Sequence, residues 1–195
     1  MEAYLDNSAT TRVDAQVQEL MKKLMDVDFG NPSSRHQKGV VAEGYIKEAR
    51  QKIAATLKVD PKELIITSGG TESNNMALIG TALAAKRKGN HIITTAVEHP
   101  SVKATASFLE EQGFRITFLS VDSRGQISLE DLKEALTPDT ILVSIMYVNN
   151  EIGTIQPVEE AAKLVHATVP GAVFHVDAIQ AYGKVMIRPK QQGID

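Results

Sequence analysis

Four polar clusters interrupt an otherwise apolar rhythm, and each holds side chains able to do chemistry. The first is Thr67-Ser68-Gly69-Gly70-Thr71-Glu72-Ser73-Asn74-Asn75. Two glycines let backbone N–H groups approach a ligand closely, a helix opening there adds donors and positive partial charge, and Thr71 adds a hydroxyl: a cradle for phosphate. The same residues read equally well as a plain strand-to-helix turn with a threonine cap. No Gly-Lys-Ser/Thr follows at the spacing of a P-loop.

The second cluster, Ala96-Val97-Glu98-His99-Pro100-Ser101, offers an imidazole. His99 could stack on a planar ring or shuttle protons, and a lone histidine there is as readily structural or simply exposed. The third, Val148-Asn149-Asn150-Glu151-Ile152-Gly153, places two amides after a nearly apolar run, suited to hydrogen bonding into a cleft or to a turn, since Asn tolerates left-handed backbone. The fourth is His175-Val176-Asp177-Ala178-Ile179-Gln180. His175 and Asp177 stand two apart on a strand, so both point to one face. A metal would need a third ligand from His36, His99 or His166, for which the spacing gives no reason, and no metal site is expected. A buried carboxylate at a strand end suits a different role. Against a pyridinium nitrogen it keeps the ring charged and makes it an electron sink.

The elements that must position these clusters alternate along the chain. Leu64–Thr67, His91–Thr95, Ile116–Leu119, Ile141–Met146 and Val173–Val176 read as short strands, apolar on both faces. Between them lie helical patterns. Ala42, Ile46, Ala49, Ile53 and Leu57 form one stripe. A second helix starts near Thr71 and stops at Gly89, with Lys86, Arg87 and Lys88 in its last turn. Ser128 resembles a capping residue, and Pro157 suits the first turn of a helix carrying Val158, Ala162 and Val165. This order implies an α/β fold, a mostly parallel sheet with helices on both faces and right-handed crossovers. Ligands then bind beyond the carboxyl ends of the strands, where all four clusters converge on one crevice.

Composition narrows the class. The 195 residues carry 21 Lys plus Arg against 24 Asp plus Glu, a formal charge of −3, with 43% hydrophobic residues. That is ordinary globular usage, and the slightly acidic balance gives no reason to expect nucleic acid or an anionic membrane as partner. Cysteine is absent, which excludes disulfides, thiolate metal sites and a cysteine nucleophile within this chain. No apolar run is long enough to span a bilayer, and Met1-Glu2-Ala3-Tyr4 lacks the features of a secretion signal, so a cytoplasmic setting is expected. Met1 to Arg12 fit neither period and read as an extended arm. The chain stops at Gly193-Ile194-Asp195 with no terminal helix or polar tail, the pattern expected of a truncation that leaves sheet and core half built.

These clusters, with Tyr4-Leu5-Asp6-Asn7-Ser8-Ala9-Thr10-Thr11 and Gly30-Asn31-Pro32-Ser33-Ser34 plus His36, resemble the amino-terminal half of cysteine desulfurases. Those enzymes depend on pyridoxal 5′-phosphate and belong to the class V aminotransferases of the fold-type-I, aspartate aminotransferase-like superfamily. The resemblance implies that residues 1–14 are an arm of the small-domain and dimer region, and that 15–195 are the front part of the cofactor-binding large domain. It implies that Gly70 and Thr71 bind the cofactor phosphate, that His99 stacks on the ring and is a candidate for proton transfer, and that Asp177 pairs with the pyridinium nitrogen. Asn150 and Gln180 would hydrogen-bond near the phenolic oxygen, and Asn31 and His36 would border the substrate mouth.

The implied reaction converts L-cysteine to L-alanine in a homodimer, passing sulfur as a persulfide to an acceptor or iron–sulfur scaffold protein. The family's Schiff-base lysine lies beyond the aspartate in a Ser-x-His-Lys-type segment. Lys184 and Lys190 lack those neighbours, and the sulfur-accepting cysteine, the substrate-carboxylate arginine and the small carboxy-terminal domain are missing too. Taken alone, the chain is expected to be inactive. The same front half would also serve a selenocysteine lyase, a cysteine sulfinate desulfinase or another class V enzyme, and the literal sequence is compatible with a non-catalytic scaffold.

Overall fold

A computed structural model describes residues 2–195. The chain divides into two units, Met1–Ile65 and Ile66–Asp195. In the first, residues 2–14 form no helix or strand, and α1 (Ala15–Asp26) and α2 (Gln37–Leu57) follow. Asp14 caps α1 by accepting from the Gln16 N–H at 2.8 Å, relieving one of the orphan donors of a helix start. α2 is entered through a tight corner: a Cβ on Gly39 would sit 2.1 Å from the Ser34 carbonyl oxygen, so only glycine fits. Of the expected stripe on α2, Ala42 is buried within this unit, whereas Ile46 and Ile53 remain 38% exposed. A 3₁₀ turn at Pro61–Glu63, closed by a reciprocal Asp60–Glu63 capping box, ends the unit.

The second unit is the sheet. Its helices are α3 (Gly70–Ala85), α4 (Pro100–Glu111), α5 (Leu129–Ala135), α6 (Val158–Thr168) and the short α7 (Pro189–Gln192). Its strands are β1 (His91–Thr95), β2 (Arg115–Leu119), β3 (Thr140–Met146) and β4 (Val173–Asp177), all parallel, in the order β2-β1-β3-β4. α3 and α4 pack together and reach β3, β4 and β2, while α5 and α6 pack together against β2 and β4. The chain moves one way from β1 to β2 and the other way from β2 to β3 and β4, so helices on opposite faces are what right-handed crossovers require. β1 and β3 are buried throughout, as strands covered on both sides must be. The core joins Leu78 and Ala82 of α3, Val102 and Leu109 of α4, Phe114, Ile92, Ile141 and Leu142.

Three expectations need correction. Leu64–Thr67 is not a strand: Ile65 and Ile66 are exposed, and no strand among the described residues pairs with them. β-branched composition favours extended backbone, but a strand exists only where a neighbour completes the ladder. The helix expected to run to Gly89 ends at Ala85, and Lys88 closes a turn onto the Ala85 carbonyl. The end of the chain is also more ordered than expected. α7 forms, and Asp195 exchanges two bonds with Phe174 of β4, N–H to carbonyl at 3.1 Å and carboxylate to N–H at 2.9 Å. No helix among the described residues is long and apolar enough to cross a membrane.

Candidate functional site

Strand order reverses between β1 and β3, and the loops leaving these strands diverge there, which is where open parallel sheets bind ligands. Glu98 and His99 follow β1, Asn149 and Asn150 follow β3, and Asp177 ends β4 beside Met146. The Gly70–Thr71 corner is positioned by α3 rather than by a strand. Gly70 lies against Ile179 so closely that a Cβ would meet the Ile179 Cδ1 at 1.7 Å. One turn further along α3, the Asn74 amide reaches Asp177. The corner and the aspartate therefore belong to one site.

The first hydrogen bond within α3 runs from the Ser73 N–H to the Gly69 carbonyl at 3.1 Å. The N–H groups of Gly70, Thr71 and Glu72 bond to nothing among the described residues, and Gly69 at the N-cap offers no side chain. The Glu72 carboxylate turns back onto the Ser68 N–H and hydroxyl, each at 2.6 Å, which holds its pKa below the usual range. The exposed Thr71 hydroxyl is likewise uncommitted. Free amides, a hydroxyl and the positive end of a 16-residue helix make a site for an anion.

Asp177 is buried, 6% exposed, with Oδ1 accepting from the Ile179 N–H at 3.0 Å and Oδ2 from Asn74 at 2.8 Å. Asn74 also donates to the Ser101 hydroxyl at 3.0 Å, and that hydroxyl lies 2.8 Å from His99 Nδ1. His99 caps α4, its Nδ1 accepting from the Ser101 N–H at 3.1 Å. Asp177 and His99 are thus joined by a continuous chain of hydrogen bonds. Asn150 is half-buried and its side chain bonds to nothing among the described residues, whereas the Gln180 side-chain oxygen accepts from Lys184 at 3.0 Å. Asn149 is structural, donating to the Val97 carbonyl at 3.0 Å and accepting from the Glu151 and Ile152 N–H groups at 2.9 and 3.0 Å.

His175 does not join Asp177 in a metal pair. It is bonded to Ser144 at 2.9 Å, and burial pushes its pKa down to about 4. Among the described residues, no group of three His, Asp or Glu side chains is placed to hold a metal ion. Asn31 and His36 lie in the first unit, where Asn31 closes a turn by accepting from the Ser33 N–H at 2.9 Å and His36 stands exposed before α2. A surface cavity of about 310 Å³ lined by Ser120, Asp122, Gln126 and Asp131 shares no residue with the cluster. Asn74, Ser101 and Glu98 are the residues that motif reading passes over. Asn74 stands one turn after Gly70 on the buried stripe of α3 that continues with Leu78 and Ala82, and that polar intrusion was the available signal.

The family model described as aminotransferase class-V matches residues 3–195. The chain belongs to the class-V aminotransferase family. Within it, the cysteine desulfurase IscS of Dictyoglomus turgidum is 48% identical over 194 residues, covering 100% of this chain and 49% of that protein. Among solved structures, a NifS-like protein superposes with a TM-score of 0.97 at 42% identity, covering 100% of this chain and 53% of that one. A structure described as SspA in complex with cysteine gives 0.93 at 39% identity, covering 98% and 55%. The chain spans about half the length of the class-V relatives it matches.

Proposed function

We propose that this chain is the front half of a pyridoxal 5′-phosphate-dependent cysteine desulfurase, which converts L-cysteine to L-alanine and passes the sulfur on as a persulfide for iron–sulfur cluster or thio-cofactor assembly. The observation that carries the reading is the one-turn spacing on α3 between an uncommitted anion site at Gly70–Glu72 and the amide that grips Asp177. A phosphorylated pyridine needs those two features together. The relatives named above support the reaction class, as does the cysteine found with one of the solved structures.

The residues fit the cofactor. The free amides of Gly70 and Thr71, with the Thr71 hydroxyl, would hold the phosphate. Asp177, bonded through both oxygens, would accept from the protonated ring nitrogen and hold the proton there. Pyridoxal 5′-phosphate supplies an electron sink for charge left at the substrate α-carbon, which works best with that nitrogen protonated. His99 would face the ring and move protons through Nε2, since Nδ1 is occupied. Asn150 and Gln180 would complete the polar rim. The chain holds no cysteine, so the sulfur-accepting thiolate, like the Schiff-base lysine, has to come from outside these residues. A homodimer, a cytoplasmic setting and a sulfur-acceptor or scaffold protein belong to the same proposal.

The test is titration of the protein with pyridoxal 5′-phosphate followed by visible absorption, together with alanine release from L-cysteine by the full-length gene product. A bound-cofactor band that Thr71→Val weakens about tenfold or more and Asp177→Ala abolishes is expected. A folded protein that binds no cofactor defeats the proposal, and turnover of selenocysteine or cysteine sulfinate in preference to cysteine would reassign the substrate.

A further inference from the structure

Asp177 and His99 are joined through two residues that stand between them, Asn74 and Ser101. Asn74, 3% exposed, commits both hydrogens of its amide: one to Asp177 Oδ2 at 2.8 Å, the other to Ser101 Oγ at 3.0 Å. A carboxylate only accepts, so the nitrogen of the amide, not its oxygen, must face this way. Having accepted from Asn74, the Ser101 hydroxyl keeps one hydrogen to give, and His99 Nδ1 lies 2.8 Å away. The same ring nitrogen accepts from the Ser101 N–H at 3.1 Å. A nitrogen that accepts from two donors carries no proton of its own, and the proton of the neutral ring is left on Nε2. The direction of the bonds from Asp177 to His99 follows from the two fixed donors, the Asn74 amide and the Ser101 N–H.

We propose that Asn74 is a positioning residue that holds Asp177 in place for the ring nitrogen and, through Ser101, sets His99 in its Nε2–H tautomer before cofactor arrives. This rests on the desulfurase reading for its purpose, but not for its measurement. The relay is made of this chain's own side chains, because all four residues lie in the second unit and bond directly to one another. It predicts an asymmetry. Replacing the amide by a carboxylate removes both donors, and Ser101 must then turn its hydroxyl toward position 74, offering its oxygen to His99 as an acceptor.

Ring ¹⁵N shifts of His99 in the cofactor-free protein test this. The wild type is expected to show the Nε2–H pattern. In Asn74→Asp the population is expected to move to Nδ1–H or to imidazolium, and Ser101→Ala placed on top is expected to erase the difference between Asn and Asp at position 74. Unchanged His99 shifts in folded Asn74→Asp would overturn the proposal. Asn74→Ala serves where the buried second carboxylate prevents folding. It is expected to weaken pyridoxal 5′-phosphate binding about 10- to 100-fold, while Ser101→Ala stays within about threefold. Wild-type affinity in folded Asn74→Ala would equally overturn it. Failure of the wild type to bind cofactor counts against the desulfurase reading alone, and the tautomer comparison still decides the relay.

Discussion

The Glu98 carboxylate accepts from the backbone N–H of Met146 at 2.8 Å, tying the loop after β1 to the last residue of β3 across the switch point of the sheet. The same oxygen accepts from the Thr95 hydroxyl at 2.8 Å, while Oε2 is buried without a partner among the described residues. Burial, reinforced by the nearby negative charge of Asp177, pushes the Glu98 pKa up from 4.5 to about 7.

Glu98 makes stability depend on pH with a definite sign. The unfolded chain releases this proton near 4.5 and the native state near 7, so between those values the native state binds more protons. Its contribution is full below 4.5 and is lost as pH rises through 7. Glu98→Gln cannot ionise, so the stability difference between variant and wild type is expected to shift in favour of the variant by up to about 3 kcal/mol from pH 4.5 to 8. Urea unfolding of both proteins at several pH values measures it, and a constant difference would refute it.

The buried histidines act in the opposite direction. Burial pushes His91 and His175 down to about 4, so the native state refuses protons that the unfolded chain takes up near 6.5. Stability is present above 6.5 and lost as pH falls toward 4. His175→Gln is expected to flatten that acid limb relative to wild type, by an amount of order 1–3 kcal/mol at pH 4. Paired denaturant melts at pH 7 and pH 4 read the difference.

Gly70 and Ile179 form a testable pair. Gly70→Ala drives a methyl into the Ile179 side chain, which is 54% exposed and can swing away at small cost in stability. The expected loss is in ligand binding, because Ile179 also donates the N–H that steadies Asp177. Pyridoxal 5′-phosphate affinity should fall about tenfold in Gly70→Ala and recover in Gly70→Ala/Ile179→Ala, a coupling that titration of the single and double variants measures.

Leu78, 1% exposed, plugs α3 into the core beside Ile92, Val102 and Leu142. Leu78→Ala leaves a cavity that rigid strands cannot close, and about 2–5 kcal/mol of stability should go with it. Thermal or urea unfolding checks this. A cost below about 1 kcal/mol would mean that the helix relaxes onto the sheet.

Much of this protein follows from local rules. Short β-branched runs located β1 and β3, because strands covered on both faces are buried from end to end. Gly69-Gly70-Thr71 marked an anion corner through backbone chemistry alone, and the uncommitted amides there agree with it. Pairing is a different matter. Leu64–Thr67 carries strand composition without a ladder, since hydrogen bonds between strands depend on a neighbour that no local pattern specifies. The meeting of Asn74 with Asp177, 103 residues later, and of Glu98 with Met146, 48 later, is of the same kind. Side-chain type announces a donor or an acceptor, but only the packing of α3, β1, β3 and β4 brings it within 3 Å of a partner, and burial then pushes the Glu98 pKa up.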